Sequence, residues 1–165
     1  MTLTWTPESD TQKPGEAASV KELRAWFERL PQMRHRIRQQ QEHIASLRNA
    51  ATTTTSGTSG APGRSGASDK VGRNADAAMD AERTLYELKC KYAEMQKEAI
   101  DTAYLLHADP ASIKRSRCLI LYFVEGKRQA EIAPVVGYSK PCQVSQAVSD
   151  GLEQLAEIIT ELNLG

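Results

Sequence analysis

The chain has 165 residues, 40% of them hydrophobic and 5% aromatic, with 21 basic and 21 acidic side chains and a formal net charge of zero. That lean aromatic content favours an elongated helical protein over a sheet-built core. The balanced charge excludes attachment to DNA or to an anionic membrane by electrostatics alone, and the longest apolar run, residues 118–124, is too short to span a bilayer.

Residues 1–18 hold Pro7, Pro14, Gly15 and many polar side chains, and read as a flexible lead. The opening Met-Thr-Leu-Thr-Trp lacks both a charged start and an apolar run. No signal peptide is therefore expected, and the chain reads as a cytoplasmic protein. Ser19 and Glu22 have the spacing of a capping box that starts a helix. From there the apolar register repeats in sevens. Leu23, Leu30, Ile37 and Ile44 make one line; Trp26, Met33 and Leu47 make the other, with Gln40 as its polar member. Pro31 either kinks this helix or ends a shorter one at Leu30.

Residues 50–74 change character, being rich in Thr, Ser and Gly with nothing to bury. They read either as a disordered connector or as a loop that binds something. A second heptad run follows, with Leu85, Tyr92, Ala99 and Leu106 on one line and Leu88, Met95 and Thr102 on the other. Asp109-Pro110 ends that helix and starts the next. The two heptad helices, each ~45–50 Å long at 1.5 Å per residue, can fold over residues 19–108 as an antiparallel hairpin. Each seam can equally pair with a second copy of the chain, and periodicity allows both.

Residues 110–124 are apolar nearly all round after Arg117 and predict the central helix of a C-terminal bundle over 109–165, ended by Gly126. Ile132, Ala133 and Val136 then share one face of a short helix over 129–136. Gly137 suits a left-handed helix end, Tyr138 can plug the corner, Ser139 is a good N-cap and Pro141 fits a first helical turn. Val144, Ala147, Val148, Leu152 and Leu155 give the last helix, from Lys140 to about 162, a buried stripe. The order of these features reads as a helix-turn-helix; a helical pair packed in an ordinary core is the other reading. Overall the chain is expected to be all-α. Three cysteines and three histidines are scattered, and no nucleophile-base motif or phosphate-binding glycine loop is visible. No enzyme activity, metal or cofactor is expected.

The run Leu119-Ile-Leu-Tyr-Phe-Val-Glu-Gly-Lys-Arg-Gln-Ala-Glu-Ile-Ala-Pro-Val-Val-Gly-Tyr-Ser139 resembles region 4 of bacterial sigma-70 factors. The stretches Ala50-Ala-Thr-Thr-Thr-Thr-Ser-Gly and Gly66-Ala-Ser-Asp-Lys-Val-Gly72 are similar to phage and prophage sigma-region-4-like proteins of the ArpU and RinA late-gene activator group. The resemblance implies a transcriptional regulator of phage or prophage genes. Two features depart from the sigma pattern. Four residues separate Ser139 from Val144 where the pattern has three, and Pro141, Cys142, Ser145 and Gln146 stand where it places arginines.

The expected mechanism is sequence-specific reading of double-stranded DNA. Lys127, Arg128 and Lys140 would hold phosphates, Ser139 would open the recognition helix, and Gln143, Ser145, Gln146 and Ser149 would reach base edges. With so few cations, a homodimer or help from host RNA polymerase is expected. Gln143 and Gln146 can equally be solvated helix positions. Lys114, Arg115, Arg117, Lys127 and Arg128 make the entry to the helix-turn-helix basic, though Arg115 and Arg117 can equally balance acidic residues on a neighbouring helix. A small-terminase-like packaging component and a polymerase-binding module that never touches DNA are the competing readings.

Overall fold

The structure, a computed structural model, describes residues 13–17, 19–56 and 66–164. Those residues are all-α. A 3-10 turn, Pro14–Glu16, precedes helices α1 (Val20–Ser56), α2 (Gly66–Ala103), α3 (Pro110–Leu119), α4 (Gln129–Val136) and α5 (Pro141–Leu164). None of these helices is long and apolar enough to cross a membrane. The chain divides into two compact units, one of Met1–Gln32 with Glu94–Gly165 and one of Met33–Ala93. Both helices α1 and α2 cross from one unit to the other. The first turns of α1 and the last turns of α2 belong with α3, α4 and α5, because their apolar faces help to build that core.

α1 starts where the sequence indicates. The Ser19 hydroxyl accepts the Glu22 N–H at 3.2 Å, satisfying one of the donors left open at a helix start. The helix does not end at Leu30. It continues through Pro31, whose missing N–H leaves the Phe27 carbonyl without its usual partner. Helix also reaches further into the Thr/Ser/Gly segment than its composition implies. Residues 50–56 close α1 and residues 66–74 open α2. The Thr52 hydroxyl turns back onto the Arg48 and Asn49 carbonyls at 3.1 and 3.0 Å, so its polar group is satisfied within the helix. Residues 57–65 of the expected connector and 1–12 of the expected flexible lead lie outside the described residues. α2 ends at Ala103, short of Asp109-Pro110.

The unit of residues 33–93 pairs the second half of α1 with most of α2. Met33, Ile44, Ala78 and Ala81 are buried in it. Gln40, the polar member of the heptad line, donates its side-chain amide to the Ala81 carbonyl at 3.0 Å. Arg34 donates to the Tyr92 hydroxyl at 3.0 Å, and Arg48 pairs with Glu82. Ile37, Leu47, Leu85 and Leu88 are only half-buried, so this seam is narrow.

The other unit holds the larger core. Leu23, Trp26, Phe27 and Leu30 of α1 and Ala99, Ala103 and Leu106 from the α2 end are buried in it. So are Cys118, Leu119, Phe123, Ile132, Val144, Leu152 and Leu155. Phe27 meets Phe123 at a ring separation of 5.3 Å and Trp26 edge-on at 5.3 Å, within the range of favourable aromatic contact. The Asp109 carboxylate caps α3 by accepting the Ser112 N–H at 2.7 Å. That bond holds the Asp109 pKa below the ordinary value. Its stabilising effect is therefore present above the ordinary Asp range and is lost as pH falls through the lowered value. The expected single helix over 110–124 is α-helical only to Leu119; Ile120–Val124 form one π-helical turn. Burial pushes the Cys118 thiol up to about 11.

Polar groups in this core are paired. Ser116 Oγ donates to the Ala103 carbonyl at 2.7 Å, closing the end of α2. Arg115 donates to Gln154 Oε1 at 2.9 Å, and Gln154 Nε2 donates to the buried Ser112 hydroxyl at 2.9 Å. The two helices of that network cross closely because Gly151 has no side chain. A Cβ there would stand 3.3 Å from both Arg115 Cβ and Leu119 Cδ1. Gly151→Val is expected to destabilise the fold by about 1–3 kcal/mol through overpacking, read by chemical denaturation followed by circular dichroism. Unchanged stability would show that the crossing is loose.

Candidate nucleic-acid interface

The corner between α4 and α5 is set by backbone geometry. Gly137 lies in the left-handed region at φ 97°. The Gly137 and Tyr138 N–H groups both donate to the Ala133 carbonyl, at 3.0 and 2.7 Å, which closes the helix end. Ile132, Ala133 and Val136 turn inward. Glu131 reaches back to accept the Arg128 N–H at 3.1 Å and closes the start of α4. Tyr138 is half-buried at the corner, and the Lys114 ammonium of α3 sits over its ring at 5.4 Å. Burial raises the Tyr138 pKa above the ordinary phenol value.

Ser139 does not cap α5 in the expected way. The helix begins at Pro141, and the capping oxygen comes from inside it. Gln143 Oε1 accepts the Ser139 N–H at 2.9 Å, the Lys140 N–H at 3.0 Å and the Ser139 hydroxyl at 3.2 Å. A glutamine reach of three and four residues collects donors that a serine at 139 cannot, because the longer turn sets Ser139 one residue further from the helix. Gln143 is exposed, and its Oε1 helps to shape the corner.

The remaining expected residues fall into three groups. Lys127, Arg128 and Lys140 are exposed. Lys127 lies 3.8 Å from Glu125 across a solvent-exposed pair, which costs little to break. Ser145 and Gln146 are exposed on the first turns of α5, and Gln146 donates to Asp150 Oδ1 at 2.9 Å. Ser149 is half-buried and accepts a hydrogen bond from Arg24 of α1 at 3.2 Å. Further along the same helix Glu153, Glu157 and Glu161 are exposed. They would repel phosphates, so the surface of α5 compatible with DNA ends before Glu153.

A shallow groove of about 430 Å³ runs beside that surface. Pro110, Ala111, Lys114 and Arg115 of α3 form one wall, Gln143, Gln146 and Asp150 of α5 the other, with Tyr138 in the lining. On the opposite shoulder the start of α1 runs antiparallel to α5, as the Arg24–Ser149 bond and the 2.9 Å bond from Asn163 to the Gly15 carbonyl show. Sequence reasoning missed Arg24 and the Lys114–Tyr138 stack, because both contacts join distant segments. Gly151 carried a readable signal, since an isolated glycine inside a helical stripe commonly marks a close crossing.

No protein-family model, curated protein or solved structure matches this chain.

Two substitutions test the corner. Gly137→Ala should cost about 1–2 kcal/mol, because a Cβ resists the left-handed conformation. Gln143→Ala should cost about 1 kcal/mol by freeing the turn's donors to water. Thermal melts of both variants check this, and a Gln143→Ala melt matching the parent would remove the clamp from the account.

Proposed function

We propose that the chain is a sequence-specific DNA-binding regulator of transcription, acting on phage or prophage genes and not as an enzyme. In this reading residues 19–108 form a long antiparallel hairpin and α3 to α5 a helix-turn-helix bundle whose last helix enters the major groove by its first turns. The observation that carries the reading is the α4–Gly137–α5 corner, with Lys127, Arg128, Lys140, Ser145 and Gln146 exposed around it. The resemblance of residues 119–139 to sigma-70 region 4 gives the same assignment from sequence. The paired contacts Arg34–Tyr92 and Gln40–Ala81 support the hairpin.

The exposed cations contact phosphates and set register; Ser145 and Gln146 contact base edges. Gln146 must exchange its bond to Asp150 for a base, a swap between comparable hydrogen bonds. The few cations at the corner make one copy a weak binder. Two copies, or one copy beside host RNA polymerase, complete the proposal. A second reading, a polymerase-binding module that leaves DNA untouched, draws support from the engagement of Gln143 and Ser149 within the protein.

Selection of bound duplexes from a random pool, followed by anisotropy titration, tests the proposal. Lys140→Ala should weaken binding about equally on all sequences, whereas Gln146→Ala should relax the preference at one base-pair position, worth about 1–3 kcal/mol. No retention of any duplex at low ionic strength would overturn it. Full activation of a reporter by the Lys140→Ala, Gln146→Ala double variant would favour the polymerase-binding module.

A further inference from the structure

The first turns of α5 carry no arginine, yet they are not without cationic neighbours. Arg24 of α1 stands on one shoulder of the helix, its guanidinium bonded to Ser149 Oγ at 3.2 Å. Lys114 of α3 stands on the other, across the groove lined by Gln143 and Gln146, its ammonium over the Tyr138 ring. The two residues lie ninety positions apart in the chain (24 and 114) and come from different helices. The Ser149 hydroxyl and the Tyr138 ring give each a fixed neighbour, so less side-chain freedom is left to lose on binding.

Resting on the DNA-binding reading, we propose that Arg24 and Lys114 are paired phosphate clamps that grip the two DNA strands on either side of α5. A helix with its side chains is about 10–12 Å across, and the major groove of B-DNA is about 12 Å wide. A helix seated there has one phosphate backbone beside each shoulder. Cations on both shoulders therefore meet opposite strands, and they supply the charge that the helix itself lacks. Asp150 shares the Lys114 shoulder and keeps its negative charge whether or not it holds the Gln146 amide, so the attraction of Lys114 for phosphate must outweigh it. The consequence is that the DNA-binding element is wider than residues 109–165. It includes the start of α1, although that segment lies outside the sequence motif.

The test uses the full chain and a mixed-sequence DNA duplex, with anisotropy titrations over a series of salt concentrations. Each phosphate contact contributes about 0.9 to the slope of log K against log salt. Arg24→Ala and Lys114→Ala should each reduce the slope by roughly that amount, and the double variant by about twice as much. Affinity should fall by the same factor on selected and scrambled duplexes, with the base preference unchanged. Lys89→Ala, an exposed cation of the other compact unit, should leave the slope untouched. Circular dichroism melts confirm that the variants fold. A parent chain that binds duplex with a slope retained in both single variants would overturn the clamps and leave the DNA-binding reading standing. A parent chain that binds no duplex would overturn both.

Discussion

The close crossing of α3 over α5 at Gly151 is the constraint from which the rest of the larger unit follows. A glycine in a helix interior costs about 1 kcal/mol relative to alanine. The contact it permits buries Leu119, Leu152 and Leu155 completely, and each such side chain is worth roughly 1.5–3 kcal/mol. Packing therefore outweighs propensity. The same closeness brings Arg115 against Gln154 and Gln154 against Ser112. A polar network can exist there only because every member finds a partner, and no buried side-chain nitrogen or oxygen among the described residues lacks one.

With that crossing set, the position of the α4–α5 corner is no longer free. Phe123 and Val124 anchor the end of the π turn in the core, and α4 packs against α5 with Ile132, Ala133 and Val136 buried. Gly137 supplies the turn, and Gln143 draws Ser139 and Lys140 onto the start of α5. Function at such a site depends less on which polar residues occur near the corner than on which of them still point outward. Lys140, Gln143, Ser145 and Gln146 are exposed, with Gln143 bonded to the turn and Gln146 to Asp150, whereas Ser149 is half-buried beside Arg24.

The unit of residues 33–93 follows different rules. Its apolar seam is thin, with alanines at 78 and 81 where larger residues would widen it. Small residues allow close helix approach but bury little area each. Gln40, Arg34 and Arg48 add polar ties across the seam that specify register rather than strength. Such a surface is well suited to holding two helices in one alignment while leaving Met79 and Tyr86 exposed on the outer side of α2.

Much of the secondary structure was written in local pattern. The heptads of α1 and α2, the Ser19 start, the Gly126 and Gly137 stops and the α5 stripe are all short-range signals, and each depends only on residues within a few turns. The sequence misled where a local feature had more than one physical outcome. Pro31 allowed either a kink or a stop, and the helix continues through it; Thr52 near the end of α1 satisfies its hydroxyl on the backbone. Tertiary structure alone decided which cations surround α5. Lys114 belongs to a basic run visible in the sequence and Arg24 does not, but only the folding of α1 and α3 against that helix brings Arg24 to Ser149 and Lys114 to the Tyr138 ring.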